Sequence, residues 1–407
     1  MLLSTCAGCG NPGIRNVLDL GDSPLADEFP TVPHSGQDRY PLGLQHCPKC
    51  TMIQLSYVVP DEILWQGDYG FYTGASAAAV DYFDRYARHT ISAYGRTART
   101  GAGVLEIACN DGTLLQHFAT AGYKVFGVDP ASGPVNAARR KGLDVLPMGF
   151  TNDIAASIVE DFGTFGLVIA NNVIAHVADL DDFVGGIATV LHAEGSALVE
   201  FQYGPDLIAG NAYDHVYHEH RSFLTLTALA QILERRGLTA VHAEHTPQQR
   251  GSLRVTIEHQ TPGSHPDHTV RHLRRAEDWL TDPYALAGMQ ATADRIRTLL
   301  VDMLQGFKLG GKKVAGYGAS AKATTLLQWC GIDADLVQYV VDTTPSKHGR
   351  YMPGTEIPII SPTADSRRPD VYLLFISNYI GHVMRNERAH AAAGGRWIVP
   401  VPFPVVV

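Results

Sequence analysis

The chain has six cysteines, and four of them form two CxxC pairs, Cys6/Cys9 and Cys47/Cys50. A CxxC on a tight turn points two sulfurs at one centre, and Ala7-Gly8 and Pro48-Lys49 supply turn chemistry. Two such knuckles offer four thiolates, the donor set of tetrahedral zinc. A redox pair or unrelated free thiols would not explain the duplicated spacing. Four sulfur ligands leave no open position, so the metal is expected to fold the chain rather than to catalyse. His46, beside Cys47, then has no necessary role as a ligand.

Two other segments are dense in side chains that move protons. One is Asn171-Asn172-Val173-Ile174-Ala175-His176, and the other is Tyr213-Asp214-His215-Val216-Tyr217-His218-Glu219-His220. Histidine titrates near neutrality and suits removal of a proton from a carbon acidified by a neighbouring carbonyl. The resulting enolate needs hydrogen-bond donors, which a tyrosine or a second histidine supplies. The HEH triplet lacks the i, i+4 geometry of a HExxH metal site. Any one histidine is more simply a core or surface side chain. Tyr217, Glu219 and His220 together carry the catalytic reading, and His215 and His218 are read as structural.

A third signal runs from Val104 to Gly112, Val-Leu-Glu-Ile-Ala-Cys-Asn-Asp-Gly, a strand followed by a turn into a helix. It resembles the first motif of class I methyltransferases, which implies that Glu106 is available to the cationic amino-acid end of the cofactor and that the small turn residues Ala108, Asn110 and Gly112 let backbone approach it. Cys109 stands where a glycine is usual. The next strand ends in Gly127-Val128-Asp129, and an aspartate there can accept both ribose hydroxyls of an adenosine. These features alone fit either NAD or S-adenosylmethionine. Asn171 and Asn172 end another strand and would lie beside the cofactor's amino-acid end.

These residues need elements to hold them. Short apolar runs alternate with helical stretches from 104 to 259, with strands expected over 104–108, 124–128, 167–170, 196–201, 241–245 and 253–259. The last two are close enough for an antiparallel hairpin at a sheet edge. A helix precedes them over 76–94, with Val80, Phe83, Ala87 and Ile91 at helical spacing. Residues 266–308 read as helical, and a second α/β block follows with strands over 314–317, 337–341, 371–376 and 397–401. In that block Gly316-Tyr317-Gly318-Ala319-Ser320-Ala321-Lys322 leads from a strand into a helix. Its amides and Lys322 could hold phosphate oxygens, with Lys347 and Arg350 adding charge, although the spacing is not that of a P-loop. The expected fold class is α/β in three domains: a zinc module over 1–68, a Rossmann-like middle domain over 69–265 and a Rossmann-like C-terminal domain over 266–407.

Composition agrees with this. Hydrophobic residues are 45% and charged residues 18% of 407, enough to bury several cores. A net charge of −9 gives no overall field for nucleic acid. There is no apolar run long enough to span a membrane, and the first residues lack a secretory pattern, so a cytoplasmic protein is expected.

Taken together, the sequence resembles the zinc-containing sugar C-methyltransferases of deoxysugar biosynthesis, over almost its whole length. The resemblance includes the CxxC pairs with Leu18-Asp19-Leu20-Gly21 and Pro24-Leu25-Ala26 between them, 104–112, 171–177 and Tyr217-His218-Glu219-His220. It extends to Gly251-Ser252-Leu253-Arg254, Gly316-Tyr317-Gly318-Ala319 with Lys322, Asp342 with Lys347, Pro353-Gly354 and 395–400. It implies a class I methyltransferase fold in the middle domain, S-adenosylmethionine as methyl donor and a dTDP-linked 4-keto-6-deoxysugar as acceptor. Methylation is expected next to the ketone, at C-3 rather than C-5. By match to the family, His220 would be the base, with Tyr217, Glu219 and His176 orienting the sugar and steadying the enolate. Acceptor contacts are expected from Tyr72, Tyr203, Arg254, Tyr317, Lys322, Lys347 and Arg350, in a monomer. Phe71 and Phe375-Ile376-Ser377-Asn378 depart from the family pattern where they could line the acceptor pocket. The alternatives are an O- or N-methyltransferase and a non-catalytic nucleotide-sugar-binding protein.

Overall fold

Residues 15–23 bury Leu18, Leu20 and Ser23 and leave the positions between them wet, the alternation of a strand with one solvated face. In the computed structural model, this strand, β1 (Arg15–Ser23), pairs antiparallel with β2 (Tyr40–His46), which pairs with β3 (Ile53–Leu55). The structure describes all residues except 34–35, 66–71, 76, 247–249 and 365–367. Phe71 and the boundary expected at 68/69 therefore lie outside the described residues.

The expected helix is Ala77–Thr97, and the glycines Gly101 (φ 116°) and Gly103 (φ 68°) turn the chain into the middle domain. Its strands are β4 (Val104–Ile107), β5 (Val125–Val128), β6 (Val145–Leu146), β7 (Phe165–Asn171) and β8 (Leu191–Gln202), all parallel. Every residue of β4 is buried, as a strand covered on both faces requires. β6 is two residues long, too short to leave a periodic signal. A two-residue strand, β9 (Ser222–Phe223), leaves this domain altogether and pairs with β3, completing the first sheet in the order β1-β2-β3-β9. The expected edge hairpin is present as β10 (Leu238–Thr246) and β11 (Ser252–His259). The seven-stranded order is β10-β11-β8-β7-β4-β5-β6. It reverses between β4 and β7, which opens a crevice at their C-terminal ends.

The stretch expected to be one helical region is two helices, His268–Ala276 and Met289–Leu309, with a turn Asp278–Thr281 between them. Glu277 causes part of the break. Its buried carboxylate accepts from the amides of Leu226 and Thr227, each at 2.7 Å, and so caps the helix Leu226–Arg235. The C-terminal domain holds β12 (Val314–Tyr317), β13 (Val340–Val341), β14 (Ile359–Ile360), β15 (Val371–Leu374), β16 (Arg396–Val399) and β17 (Val405–Val406). Their order is β14-β13-β12-β15-β16-β17, parallel except for β17. β13 is shorter than expected because the amide of Val337 turns back to Asp333 O.

The three units share cores. Cys6, Cys47, Cys50 and Met52 pack in one cluster with Leu229, Ile232 and Leu233 of the middle domain. Leu18, Leu42 and Leu44 pack with Leu300, Leu326 and Leu327 of the C-terminal domain. Among the described residues, no helix is long and apolar enough to cross a membrane.

Candidate active site

The four sulfurs of Cys6, Cys9, Cys47 and Cys50 lie within 4.8 Å of one another. Cys6 Sγ is 3.4 Å from Cys50 Sγ, and Cys9 Sγ is 3.7 Å from Cys47 Sγ. Thiolates on one tetrahedral zinc, at about 2.3 Å from the metal, would be nearly this close. Two loops make the cage: Gly10 N bonds Cys6 O, and Thr51 N bonds Cys47 O. A side chain at Gly8 would strike Met52 Sδ at 2.6 Å, so the first knuckle needs glycine. This is a closed, structural zinc site.

The crevice of the middle domain gathers the expected cofactor residues. Ala108 (φ 57°), Asn110 (φ 51°) and Asn172 (φ 53°) all sit in the left-handed region, at the ends of β4 and β7. Such strain in non-glycine residues persists where the surroundings dictate it. Gly112 has φ 72°, and a Cβ there would stand 2.3 Å from Leu143 Cδ1. Glu106 is 6% exposed, and its Oε2 has no hydrogen-bond partner. Burial pushes its carboxyl well above the ordinary range, aided by the nearby charges of Asp129 and Asp111. Asn171 also keeps its Nδ2 without a partner, while its Oδ1 accepts from the Tyr86 hydroxyl at 3.3 Å. Asp129 accepts the amides of Asn110 and Ala131, each at 2.8 Å, and each oxygen retains a lone pair for a hydroxyl. An orphaned carboxylate oxygen beside an orphaned amide donor suits an amino acid's ammonium and carboxylate. The chain therefore fits the cationic amino-acid end and the ribose of S-adenosylmethionine.

The second site residue group closes over the end of β7. His176 Nδ1 lies 2.7 Å from Glu219 O, and His220 Nδ1 lies 3.1 Å from His215 O. A carbonyl only accepts, so each Nδ1 carries the proton and each Nε2 is left as the basic nitrogen. Tyr217 Oη lies 2.8 Å from His220 Nε2 and donates to it. The ring of His220 is 4.0 Å from that of Tyr217 and 5.1 Å from that of His176. Burial holds both histidines below their usual pKa, and each is partly buried. The imidazole of His220 is thus neutral at neutral pH. Glu219 goes the other way: burial, then the charge of Asp27, lifts its carboxyl to about 8. A protonated carboxylic acid can donate to an oxyanion.

The zinc module sets this segment. β9 follows the Tyr217–His220 run directly and pairs Phe223 with Ile53. Arg221 donates to Val59 O and pairs with Asp61, and His218 Nε2 lies 3.3 Å from both Tyr40 O and Pro41 O. Sequence reasoning missed this dependence, and it missed Asp27, which belongs to the loop after β1. Thr324 donates to Ala26 O beside it, which ties that loop to the C-terminal domain.

Several residues expected at the acceptor have partners within the protein. Tyr203 is buried, and its hydroxyl donates to Glu277 at 2.5 Å, in the helix cap described above. Arg254 gives its guanidinium to Glu200 (2.9 and 2.6 Å), Glu244 (2.8 Å) and the Tyr82 hydroxyl (2.7 Å), over the Tyr86 ring. It braces the helix Ala77–Thr97 behind Asn171, with four of its five N–H donors spent on these partners. Tyr317 turns into the C-terminal core and donates to Glu387 at 3.2 Å. Arg350 donates to Phe29 O and Ser346 O, which fastens the zinc module's loop. Tyr72 stands on the cofactor side, where a Cβ on Gly133 would be 2.6 Å from its hydroxyl. The next residues clasp the cofactor loop: Thr73 N donates to Asn110 Oδ1 at 2.9 Å, and Gly74 N to Asp111 Oδ2 at 3.1 Å. Lys347 donates to Ala319 O at 2.6 Å and lies over the Phe29 ring. Lys322 alone of the expected phosphate ligands is buried at the seam facing the His220 segment.

Three family models match successive stretches of the chain. Residues 6–65 match a putative zinc binding domain, residues 80–243 a methyltransferase domain and residues 247–402 a C-methyltransferase C-terminal domain. The C-methyltransferase NovU of Streptomyces niveus is 30% identical over 414 residues, covering 100% of this chain and 97% of that protein. A ubiquinone biosynthesis O-methyltransferase of Nitrobacter winogradskyi is 28% identical over 174 residues, 40% of this chain and 63% of its own. Among solved structures, magnesium protoporphyrin IX methyltransferase from Synechocystis PCC 6803 with bound SAH covers 47% of this chain and 91% of its own, at 16% identity and a TM-score of 0.35. The zinc knuckles, the cofactor crevice and a relative matched from end to end agree, and the chain belongs to the S-adenosylmethionine-dependent C-methyltransferases that carry an N-terminal zinc-binding domain.

Proposed function

We propose that this enzyme methylates a dTDP-linked 4-keto-6-deoxysugar at the carbon beside the ketone, C-3 in preference to C-5. S-adenosylmethionine, bound in the crevice between β4 and β7, supplies an electrophilic methyl group. The chain's own residues make the acceptor carbon nucleophilic. His220 Nε2 takes the proton from the carbon next to the ketone, and the C–H electron pair moves into an enolate. Tyr217 gives up its bond to His220 Nε2 as the substrate enters and then donates to the enolate oxygen. Glu219, as the neutral acid, is a second donor. His176, its ring tilted against that of His220 at 5.1 Å, fixes the ring's place in the cleft. The new carbon–methyl bond would form from the enolate carbon as the methyl–sulfur bond breaks, its electron pair staying on sulfur in the departing S-adenosylhomocysteine, and the proton stays on His220 until product leaves.

The observation that carries this reading is a neutral imidazole with its lone pair at Nε2, preceded one position earlier in the chain by a buried carboxyl lifted to about 8. A hydroxyl or amine acceptor needs no such acid, because no enolate forms. The test is exchange of solvent deuterium into the acceptor without methyl donor. Wild-type enzyme should exchange the proton next to the ketone, and His220→Asn should lose exchange and methylation together. Methylation without exchange competence, or equal turnover of an acceptor whose ketone is reduced to an alcohol, would reject the enolate route.

A further inference from the structure

A second buried polar cluster lies where the middle and C-terminal domains meet. Asp214 is 1% exposed, and neither of its carboxylate oxygens has a hydrogen-bond partner. Arg250, on the turn before β11, places Nη2 3.9 Å from Asp214 Oδ2 and donates to Ser377 Oγ across the seam. Lys322, one residue into the helix Ala321–Cys330, is 9% exposed and donates to Asn378 Oδ1 at 2.7 Å. An ammonium has three donors, so two of them are left over. His215 adds another donor. Gln202 Nε2 donates to its Nδ1 at 2.7 Å, so the ring proton is on Nε2, which is buried without a partner.

The charges do not balance. Two cations face one carboxylate at the seam, Lys322 buried and the Arg250 side chain 17% exposed, with several N–H groups unspent. Buried surplus charge of this kind is costly unless a counter-charge with matching acceptors enters. A diphosphate offers both, and an arginine fork with a lysine point charge is a usual way to hold it. Place and direction agree. Val216 O accepts from Thr325 at 2.8 Å, so the Tyr213–His220 segment rests on the same helix that carries Lys322. An anion bound here would sit next to the base.

We propose that Arg250 and Lys322, one from each domain, form a single anion subsite with Asp214 as their counter-ion, and that it takes the diphosphate of the nucleotide-linked acceptor. This rests on the acceptor class proposed above and adds to the phosphate contact expected from Lys322 one from the middle domain, Arg250. It also makes acceptor binding a clamp between the two domains.

The test is calorimetric titration of full-length, zinc-loaded enzyme with inorganic pyrophosphate and with S-adenosylhomocysteine. Pyrophosphate should bind wild type, and Arg250→Met and Lys322→Met should each weaken it roughly 10-fold or more. S-adenosylhomocysteine affinity should not change. Asp214→Asn should tighten pyrophosphate, since it removes the competing negative charge; a merely structural role for Asp214 would not do this. No pyrophosphate binding by wild type, or unchanged binding by both cation variants, overturns the subsite. If a variant no longer binds S-adenosylhomocysteine, inhibition of wild-type methyl transfer decides instead: competition by pyrophosphate against the sugar supports the subsite, and its lack overturns it. The acceptor reading fails separately. Pyrophosphate that depends on both cations while no dTDP-keto-sugar is methylated keeps the subsite and rejects that acceptor. A methylated keto-sugar whose KM ignores Arg250→Met does the reverse.

Discussion

Glu219→Gln separates donation by an acid from simple polarity. The carboxyl is buried, with Oε2 unpartnered, and is lifted from its ordinary 4.5 to about 8. At about 1.4 kcal/mol per pH unit, ionising it in place costs about 5 kcal/mol more than in water. The groups around it explain the sign. Burial is the larger cause, and the charge of Asp27, from the zinc module, opposes a second carboxylate. The acid is therefore present below pH 8 and is lost as pH rises through that value. His220, held well below 6.5 by burial and His176, stays a free base well into the acid range. The profile of kcat/KM should be flat from about pH 6.5, bend near pH 8 and then fall about tenfold per pH unit. Glu219→Gln keeps an N–H donor that cannot ionise. It should cost roughly 10- to 100-fold at pH 7 and abolish the alkaline bend. The assay is initial-rate methylation of the keto-sugar from pH 6 to 10, with folding checked by circular dichroism at each end. An unchanged bend in Glu219→Gln would refute the assignment. So would a wild-type bend that survives Asp27→Asn at the same pH, because removing that charge should move it toward acid.

Other expectations follow from the same geometry. Cys47→Ser should lower bound zinc from one per chain, measured by atomic emission, and should lower the melting temperature, since Cys47 shares a core with Leu229 and Ile232. Gly112→Ala should weaken S-adenosylhomocysteine roughly 10-fold or more by calorimetry, because φ 72° and Leu143 Cδ1 at 2.3 Å both oppose a Cβ. Glu277→Ala should destabilise the protein by about 3 kcal/mol in urea denaturation, as two helix amides and the Tyr203 hydroxyl lose their shared acceptor. Tyr203→Phe, expected to leave the KM for the sugar unchanged, checks that Tyr203 serves the cap and not the acceptor.

The sequence alone determined what short-range spacing encodes. Two CxxC knuckles, a strand-turn-helix with Glu106 and Gly112, and an aspartate ending the next strand each have their chemistry within a few residues. Turn geometry and strand ends are local properties, so the zinc ligands, the cofactor crevice and the Tyr217–His220 segment were legible. Fold class followed from alternating strands and helices. Tertiary structure decided which side chains those residues meet. Arg254 and Tyr203 stand at strand ends like any site residue, yet Glu200 and Glu277 claim them from 54 and 74 positions away. β9 is two residues long and has no period of its own; only the free edge of β3 makes it a strand and binds the catalytic segment to the zinc module. Asp27 and Arg250 carry no motif, and nothing in the Tyr213–His220 segment marks the partners of Asp214. Their roles arise because packing takes them out of water beside other charges, and the cost of leaving a buried charge unmatched depends on neighbours that the linear order does not contain.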